Sequence, residues 1–220
     1  SAIHIGTGHI MRCLVLAKEL KALEHDVYFA TWQHSLDMID YIKQQGFAVY
    51  PIPYENEAKP LFDGDYTNWL PVTEQQDALK FINLIKGADL VIVDHYSLNK
   101  KWETKVKQEL DCKIVAIDDL RREHNCDVLL DQTLARKEEQ YQALCPESAE
   151  LFTGTQYALL NQQFHPIRLH ILQTKIKLNN KLNLMIAMGG IDNSNVTLKI
   201  LKQLCSDLPP EIVHISVLIN

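Results

Sequence analysis

Apolar positions along this chain switch repeatedly between two periods. From residue 10 to residue 23, Ile10, Cys13, Leu14, Ala17 and Leu20 recur at spacings of three and four, which predicts an amphipathic helix. Short, nearly continuous apolar runs at 26–30, 47–52, 89–93, 113–117 and 127–130 predict strands, the third of them typical of a strand buried on both faces. Helical spacing returns at 36–45, 73–86 and 100–110, with Gly46 and Gly87 as stops for the first two. Thr73-Glu74-Gln75-Gln76 has the form of a capping box, with Thr73 at the N-cap and Gln76 reaching back. Beyond a polar, lysine-containing segment, residues 182–187 and 212–219 read as strands around a helix at 196–204. Strands alternating with helices predict an α/β fold with Rossmann-like, doubly wound parallel sheets. Residues 1–5 are too few for the strand that such a fold places before its first helix, so that strand is expected upstream.

Polar residues gather where the apolar runs end. Ile5-Gly6-Thr7-Gly8-His9 leads into the first helix. A glycine loop at a helix N-terminus presents unpaired N–H groups and the positive end of the helix dipole, a seat for phosphate. The same pattern also serves as a plain tight turn. It lacks the third glycine of the dinucleotide fingerprint and the Gly-Lys-Ser/Thr of a Walker loop. Asp94-His95-Tyr96, Asp118-Asp119 and Asp131-Gln132 each close a strand, on the edge that carries Gly6, Gly8 and His9. Parallel sheets bind ligands at that edge. Aspartate is an ordinary turn former too, so it is the coincidence of three such ends that marks the edge.

A second glycine loop, Met188-Gly189-Gly190-Ile191-Asp192-Asn193-Ser194-Asn195, opens the helix at 196, with Asp192, Asn193 or Asn195 as its cap. The connection at 51–71 carries Pro51, Pro53, Pro60 and Pro71 together with Tyr54, Phe62, Tyr66 and Trp69. It reads either as a loop beside the substrate or as a surface excursion.

Bulk composition narrows the function classes. At 220 residues, 46% apolar and 23% charged, the chain is ordinary for a globular protein. A net charge of −6 without a basic run argues against nucleic acid as a partner. No apolar run approaches the ~20 residues that span a bilayer, so a cytoplasmic protein without a membrane partner is expected. Five scattered cysteines without a Cys-x-x-Cys pair read as reduced thiols, and nine dispersed histidines suggest no metal site.

Taken in order, Ile5-Gly6-Thr7-Gly8-His9-Ile10-Met11-Arg12-Cys13-Leu14, Asp94-His95-Tyr96, Ile117-Asp118-Asp119, Asp127-Val128-Leu129-Leu130-Asp131-Gln132, Gly154-Thr155-Gln156-Tyr157-Ala158-Leu159-Leu160 and Met188-Gly189-Gly190-Ile191-Asp192 form a specific combination. Together they resemble the hydrolases of pseudaminic acid biosynthesis that act on UDP-2,4-diacetamido-2,4,6-trideoxy-β-L-altropyranose. That family is related to the GT-B (MurG-like) glycosyltransferases, including the one that makes lipid II. The resemblance covers essentially the whole chain. It implies a GT-B arrangement: an N-terminal Rossmann-like domain at 1–174, a linker at 175–181 and, at 182–220, the start of a nucleotide-binding domain.

The resemblance also implies hydrolysis of a UDP-sugar to UDP and free sugar, with inverting attack by water and neither metal nor cofactor. His9 is the implied catalytic group, with Tyr96 near the sugar as its companion. Gly189, Gly190 and Asn195 would approach the diphosphate. Gly6, Gly8, Arg12, Asp94, His95, Asp119, Gln132, Tyr157 and Leu159 are the further substrate-binding positions expected from the same motifs. An imidazole suits the task, because its ordinary pKa of ~6.5 lies near a working pH and a helix N-terminus disfavours the imidazolium. Loop amides would stabilise the departing UDP. A glycosyltransferase of the same architecture and a non-catalytic nucleotide-sugar module stay open beside this. A metal-dependent diphosphate hydrolase centred on Asp118 and Asp119 is disfavoured by the lack of a close carboxylate cluster. A monomer is expected.

Overall fold

The computed structural model describes residues 5, 7–33, 38–53, 60–62, 64–174, 181–188, 192 and 194–218. The expectations placed on Gly6, Gly189, Gly190 and Asn193 lie outside these residues. The chain divides into two compact units, one built on residues 9–159 and the other on residues 160–220.

The first unit runs α1 (Gly8–Ala22), β1 (Tyr28–Trp32), α2 (Ile39–Gln44), β2 (Ala48–Ile52), α3 (Glu74–Leu84), β3 (Leu90–Val93), α4 (Lys100–Leu110), β4 (Lys113–Ile117), β5 (Val128–Asp131) and β6 (Glu150–Thr153). All its strand pairs are parallel: β1 with β2, and β3–β4–β5–β6 in that spatial order. The α/β class and the parallel pairing are as expected. Among the described residues these strands form two ladders, β1–β2 and β3–β6.

The apolar faces read from the sequence make the core. Ile10, Leu14 and Ala17 of α1 are buried against Ile42 and Phe47. A larger cluster joins Val91, Val93, Ile114, Ala116 and Leu129 of β3, β4 and β5 to Ala78, Trp102 and Val106 of α3 and α4. Asp77 is buried in the midst of it. Trp32 Nε1 donates to Asp77 Oδ2 at 2.6 Å and Trp102 Nε1 to Asp77 Oδ1 at 2.7 Å. Two donors meet the requirement that a buried carboxyl be satisfied, and burial still pushes this carboxyl up. β1 lies two residues later than the apolar run at 26–30 suggests, its extent set by pairing along β2 from Tyr28 opposite Ala48 to Trp32 opposite Ile52.

The capping box forms as read: the Gln76 amide donates to Thr73 Oγ1 at 3.2 Å, and the Thr73 amide to Gln76 Oε1 at 3.0 Å. Thr73→Ala is expected to cost about 1 kcal/mol. Urea denaturation checks this as a lower midpoint at unchanged m-value.

Two elements escape the sequence patterns. β6 is four residues long with no period to read, and it is fixed by pairing along β5, Leu129 opposite Leu151. At its end Gly154 sits at φ 100°, where a side chain is strained, and its amide bonds the Asp131 carbonyl at 2.8 Å. The other is α5 (Phe164–Gln173), in place of the expected lead into a linker. Its Pro166 falls in the first turn, where the missing N–H costs nothing.

The second unit carries α5, β7 (Leu182–Ala187), α6 (Val196–Ser206) and β8 (Ile212–Leu218), with β7 and β8 parallel. Asp192 caps α6. Its carboxylate accepts from the Val196 and Thr197 amides, both at 2.8 Å. Asn195, at the N-cap position with φ 50°, makes no side-chain capping bond.

Candidate active site

Five residues singled out in the sequence meet in the first unit. α1 supplies His9 and Arg12, the turn after β3 supplies Asp94 and Tyr96, and the turn after β4 supplies Asp119. β3 and β4 are parallel neighbours, Val93 opposite Ala116, so both turns open on one edge.

Asp94 is the hub, with its side chain only 2% exposed. Arg12 grips it through two parallel bonds, Nε to Oδ2 and Nη2 to Oδ1, each 2.5 Å. This is the fork geometry for which guanidinium is suited. His9 Nδ1 lies 2.6 Å from Asp94 Oδ1. So short a contact with an ionised carboxylate needs a hydrogen between the two atoms. Nδ1 therefore carries it, and neutral imidazole is left with Nε2 as its acceptor. Arg12 Nη2 lies 3.3 Å from the same Nδ1, as two donors converge on one oxygen.

Burial alone would push the Asp94 carboxyl up, but the Arg12 guanidinium and the His9 N–H hold it below the usual range. Burial would likewise lower Arg12, and Asp94 and Asp119 hold it above its ordinary value. Cys13 Sγ makes a further contact, 3.6 Å from Asp94 Oδ2. Burial and that carboxylate push its thiol well up, so it stays protonated.

Tyr96 is tied to the same network from the other side. Its hydroxyl donates to Asp119 Oδ2 at 2.8 Å, and Arg12 Nη1 reaches the same oxygen at 3.3 Å. Burial and this carboxylate raise the phenol above its ordinary range. The rings form a box. His9 and Tyr96 meet edge to face with centroids 4.6 Å apart, and Trp69 stacks on Tyr96 at 5.2 Å. Tyr66 lies 4.8 Å from Tyr96 and 4.9 Å from Trp69.

Tyr66 and Trp69 belong to a 3₁₀ turn (Tyr66–Trp69) inside the proline-rich connection, which thus reaches the site. Asp65 ties that turn down by accepting from the Leu61 amide at 2.9 Å and Asn68 Nδ2 at 2.8 Å. The Ser97 hydroxyl donates to the Tyr66 carbonyl. Both rings were visible in the sequence only as part of an aromatic loop.

Of the other expected residues, His95 borders the ring box, its imidazole edge-on to Trp69 with centroids 6.0 Å apart. His95 is turned toward its own backbone, its Nδ1 accepting from the Ser97 amide at 3.1 Å. Burial lowers it to about 3, so it stays neutral. Gln132 and Leu159 pair with each other, the Leu159 amide donating to Gln132 Oε1 at 2.9 Å, with the Tyr157 ring nearby on Phe152 at 5.1 Å. Gly8 opens α1, and a Cβ there would meet nothing within 4 Å. Asn195 lies in the second unit.

A layer of buried charge underlies the site, and of its members the sequence had marked only Asp118. Arg122 Nε bonds Asp118 Oδ1 at 2.8 Å, while its Nη1 donates to the carbonyls of His95, Tyr96 and Leu98 at 3.3, 2.8 and 2.6 Å. One guanidinium thereby holds the turn that presents Tyr96. Asp118 also accepts from the amides of Leu120 and Arg122 and from the Tyr141 hydroxyl. Donors surround both of its oxygens, an environment that disfavours the alternative of a metal ligand there.

His124 lies between Glu103, at 2.6 Å, and Asp118, at 3.3 Å. Burial would lower its pKa, but the two carboxylates raise it to about 9. A raised histidine pKa gives stability that is complete below the ordinary ~6.5 and is lost as pH climbs through about 9. Raising the pH from 7 to 10 is expected to remove roughly 3 kcal/mol through this group. Denaturation midpoints across that range check it, with His124→Gln flattening the dependence.

No family model matches the chain. The chain is 32% identical, over 95% of its length, to a Campylobacter jejuni protein named UDP-2,4-diacetamido-2,4,6-trideoxy-beta-L-altropyranose hydrolase, and it covers 63% of that protein. The similarity bears out the resemblance to that hydrolase read from the motifs. An uncharacterized protein of Methanocaldococcus jannaschii is 26% identical over 93% of this chain and 38% of its own length. An uncharacterized glycosyltransferase of Methanosarcina mazei is 31% identical over 42% of this chain and 26% of its own. The chain thus spans less than two thirds of each of these relatives. Among the described residues, no helix is long and apolar enough to cross a membrane.

Proposed function

We propose that this protein hydrolyses a UDP-linked 2,4-diacetamido-2,4,6-trideoxy sugar to UDP and free sugar, as a metal-independent cytoplasmic monomer in pseudaminic acid biosynthesis. The observation that carries this reading is the orientation of His9. With Nδ1–H committed to Asp94, Nε2 is the atom that takes a proton from water as the water attacks the anomeric carbon with inversion. Asp94 orients the ring and stabilises the imidazolium that forms. Arg12 keeps Asp94 ionised and in place. The naming of a 32%-identical relative for this hydrolysis supports the substrate class.

In this reading residues 1–174 form the sugar-side domain of a GT-B pair and residues 182–220 begin the nucleotide-side domain, with 175–181 as the linker. The diphosphate is met by Gly189 and Gly190, with Asn195 beside them. Asp192 already takes the Val196 and Thr197 amides at the first turn of α6.

Proton NMR of the full-length protein with UDP-2,4-diacetamido-2,4,6-trideoxy-β-L-altropyranose tests this. Free sugar and UDP are expected to appear in water alone, with the inverted anomer first. Consumption only when an acceptor is added favours a glycosyltransferase, the second reading, which the Methanosarcina relative supports. Binding without product makes the protein a nucleotide-sugar module, and loss of turnover with chelator restores a metal-dependent reaction.

A further inference from the structure

Tyr96 has one hydroxyl hydrogen, and Asp119 takes it at 2.8 Å. An ionised carboxylate can only accept, so the direction of this bond is settled by its chemistry. The phenol oxygen then faces the site with lone pairs alone. His9 Nε2 is in the same condition, because its other nitrogen gives its hydrogen to Asp94. Two acceptors therefore sit on neighbouring rings, with centroids 4.6 Å apart. Arg12 bonds both Asp94 and Asp119, so one cation holds both carboxylates that set this polarity.

We propose that Asp119 is a positioning residue: by accepting the hydrogen bond of the Tyr96 hydroxyl it leaves the phenol oxygen an acceptor, and the attacking water is held by both of its hydrogens, one on His9 Nε2 and one on Tyr96 Oη. A water that donates twice has its lone pairs free and turned away from both rings, toward the sugar. The oxygen bonds to the anomeric carbon as the bond to UDP breaks, and the bond's electron pair leaves with the diphosphate. The hydrogen on Nε2 passes to His9, and the one on Tyr96 stays as the hydroxyl of the product. A phenol that donated would instead occupy a lone pair needed for attack. Asp119 thus serves the reaction without touching the sugar, in contrast to the substrate contact expected from its motif. This rests on the hydrolase reading above.

Turnover of the same UDP-sugar by Asp119→Ala, Tyr96→Phe, the double variant and Asp119→Asn tests the arrangement. Each single loss of the acceptor is expected to lower kcat by about 10- to 100-fold with little change in KM. The double variant should fall no further than either single one. Asp119→Asn should recover most of the loss, because its amide oxygen can accept from Tyr96 in the same place. Tyrosine labelled with ¹³C at Cζ supplies a readout that needs no turnover. The resonance absent from Tyr96→Phe should resist titration in the parent and move toward the ordinary ~10 in Asp119→Ala.

Parental kcat in Asp119→Ala, or losses that multiply in the double variant, overturn the proposal. So does a Tyr96 resonance indifferent to Asp119 in an active protein. A folded parent that releases no UDP, with that resonance still dependent on Asp119, overturns the hydrolase reading and the water's role with it.

Discussion

His9→Asn lowers turnover by about 10²- to 10⁴-fold and leaves UDP binding within a few-fold of the parent. The size follows from what is removed. Asparagine can reach toward Asp94 from the start of α1, but it offers no nitrogen able to take a proton near neutral pH. The substitution is mild for the fold, because the side chain stays polar and close to Asp94, and the core face of α1 is carried by Ile10, Leu14 and Ala17. Stopped-time NMR of product, with calorimetry of UDP binding, separates the two effects. A variant that keeps a tenth or more of parental kcat removes His9 from the chemistry.

Asp94→Asn strikes the same reaction one atom further back. A carboxamide placed where Oδ1 lies can turn its N–H₂ toward His9 Nδ1. The imidazole then shifts its hydrogen to Nε2, and the base faces the water with a proton already in place. A loss of about 10³- to 10⁴-fold in kcat is expected, comparable with wrong-tautomer variants of hydrolytic triads. Arg12 also loses its fork partner in a site where the carboxylate is 2% exposed. Breaking one side of a buried pair costs about 3 kcal/mol, at the low end here because Asp119 still faces the guanidinium. Thermal melts read the stability loss and single-turnover kinetics the chemical one. Turnover at half the parental rate would show that Asp94 does not set the ring.

The sequence disclosed most of this fold where an element has a period of its own. α1, the α3 capping box and the run at 89–93 are of that kind, since spacing, cap and apolar content can be read locally. β6 and α5 were not legible. Four residues of strand carry no period, and their place is decided by β5 alone. α5 has no buried residue in its unit, so no apolar stripe sets it apart from a linker.

The site divides in the same way. The residues at the strand ends named the edge and brought His9, Asp94, Tyr96 and Asp119 into view. The proton directions were out of reach, because they depend on which oxygen each donor finds. Arg12 read as a substrate contact, and its bonds to Asp94 and Asp119 are a further, structural role that the motif did not disclose. The roles of Arg122 and Tyr141 are tertiary facts that no local pattern encodes. Trp69 and Tyr66 were seen as aromatic without their destination.

The bonds that set the two acceptors span long stretches of chain. His9 and Asp94 are 85 positions apart, Arg12 and Asp119 107, and Tyr96 and Asp119 23. No excised loop or grafted helix could carry this polarity into another protein, since each acceptor owes its lone pair to a carboxylate on a different strand end. The portable quantity is the arrangement of those ends. The turn at 66–69 brings its two rings onto Tyr96 from a separate connection, so the same arrangement of ends also fixes where that connection must return.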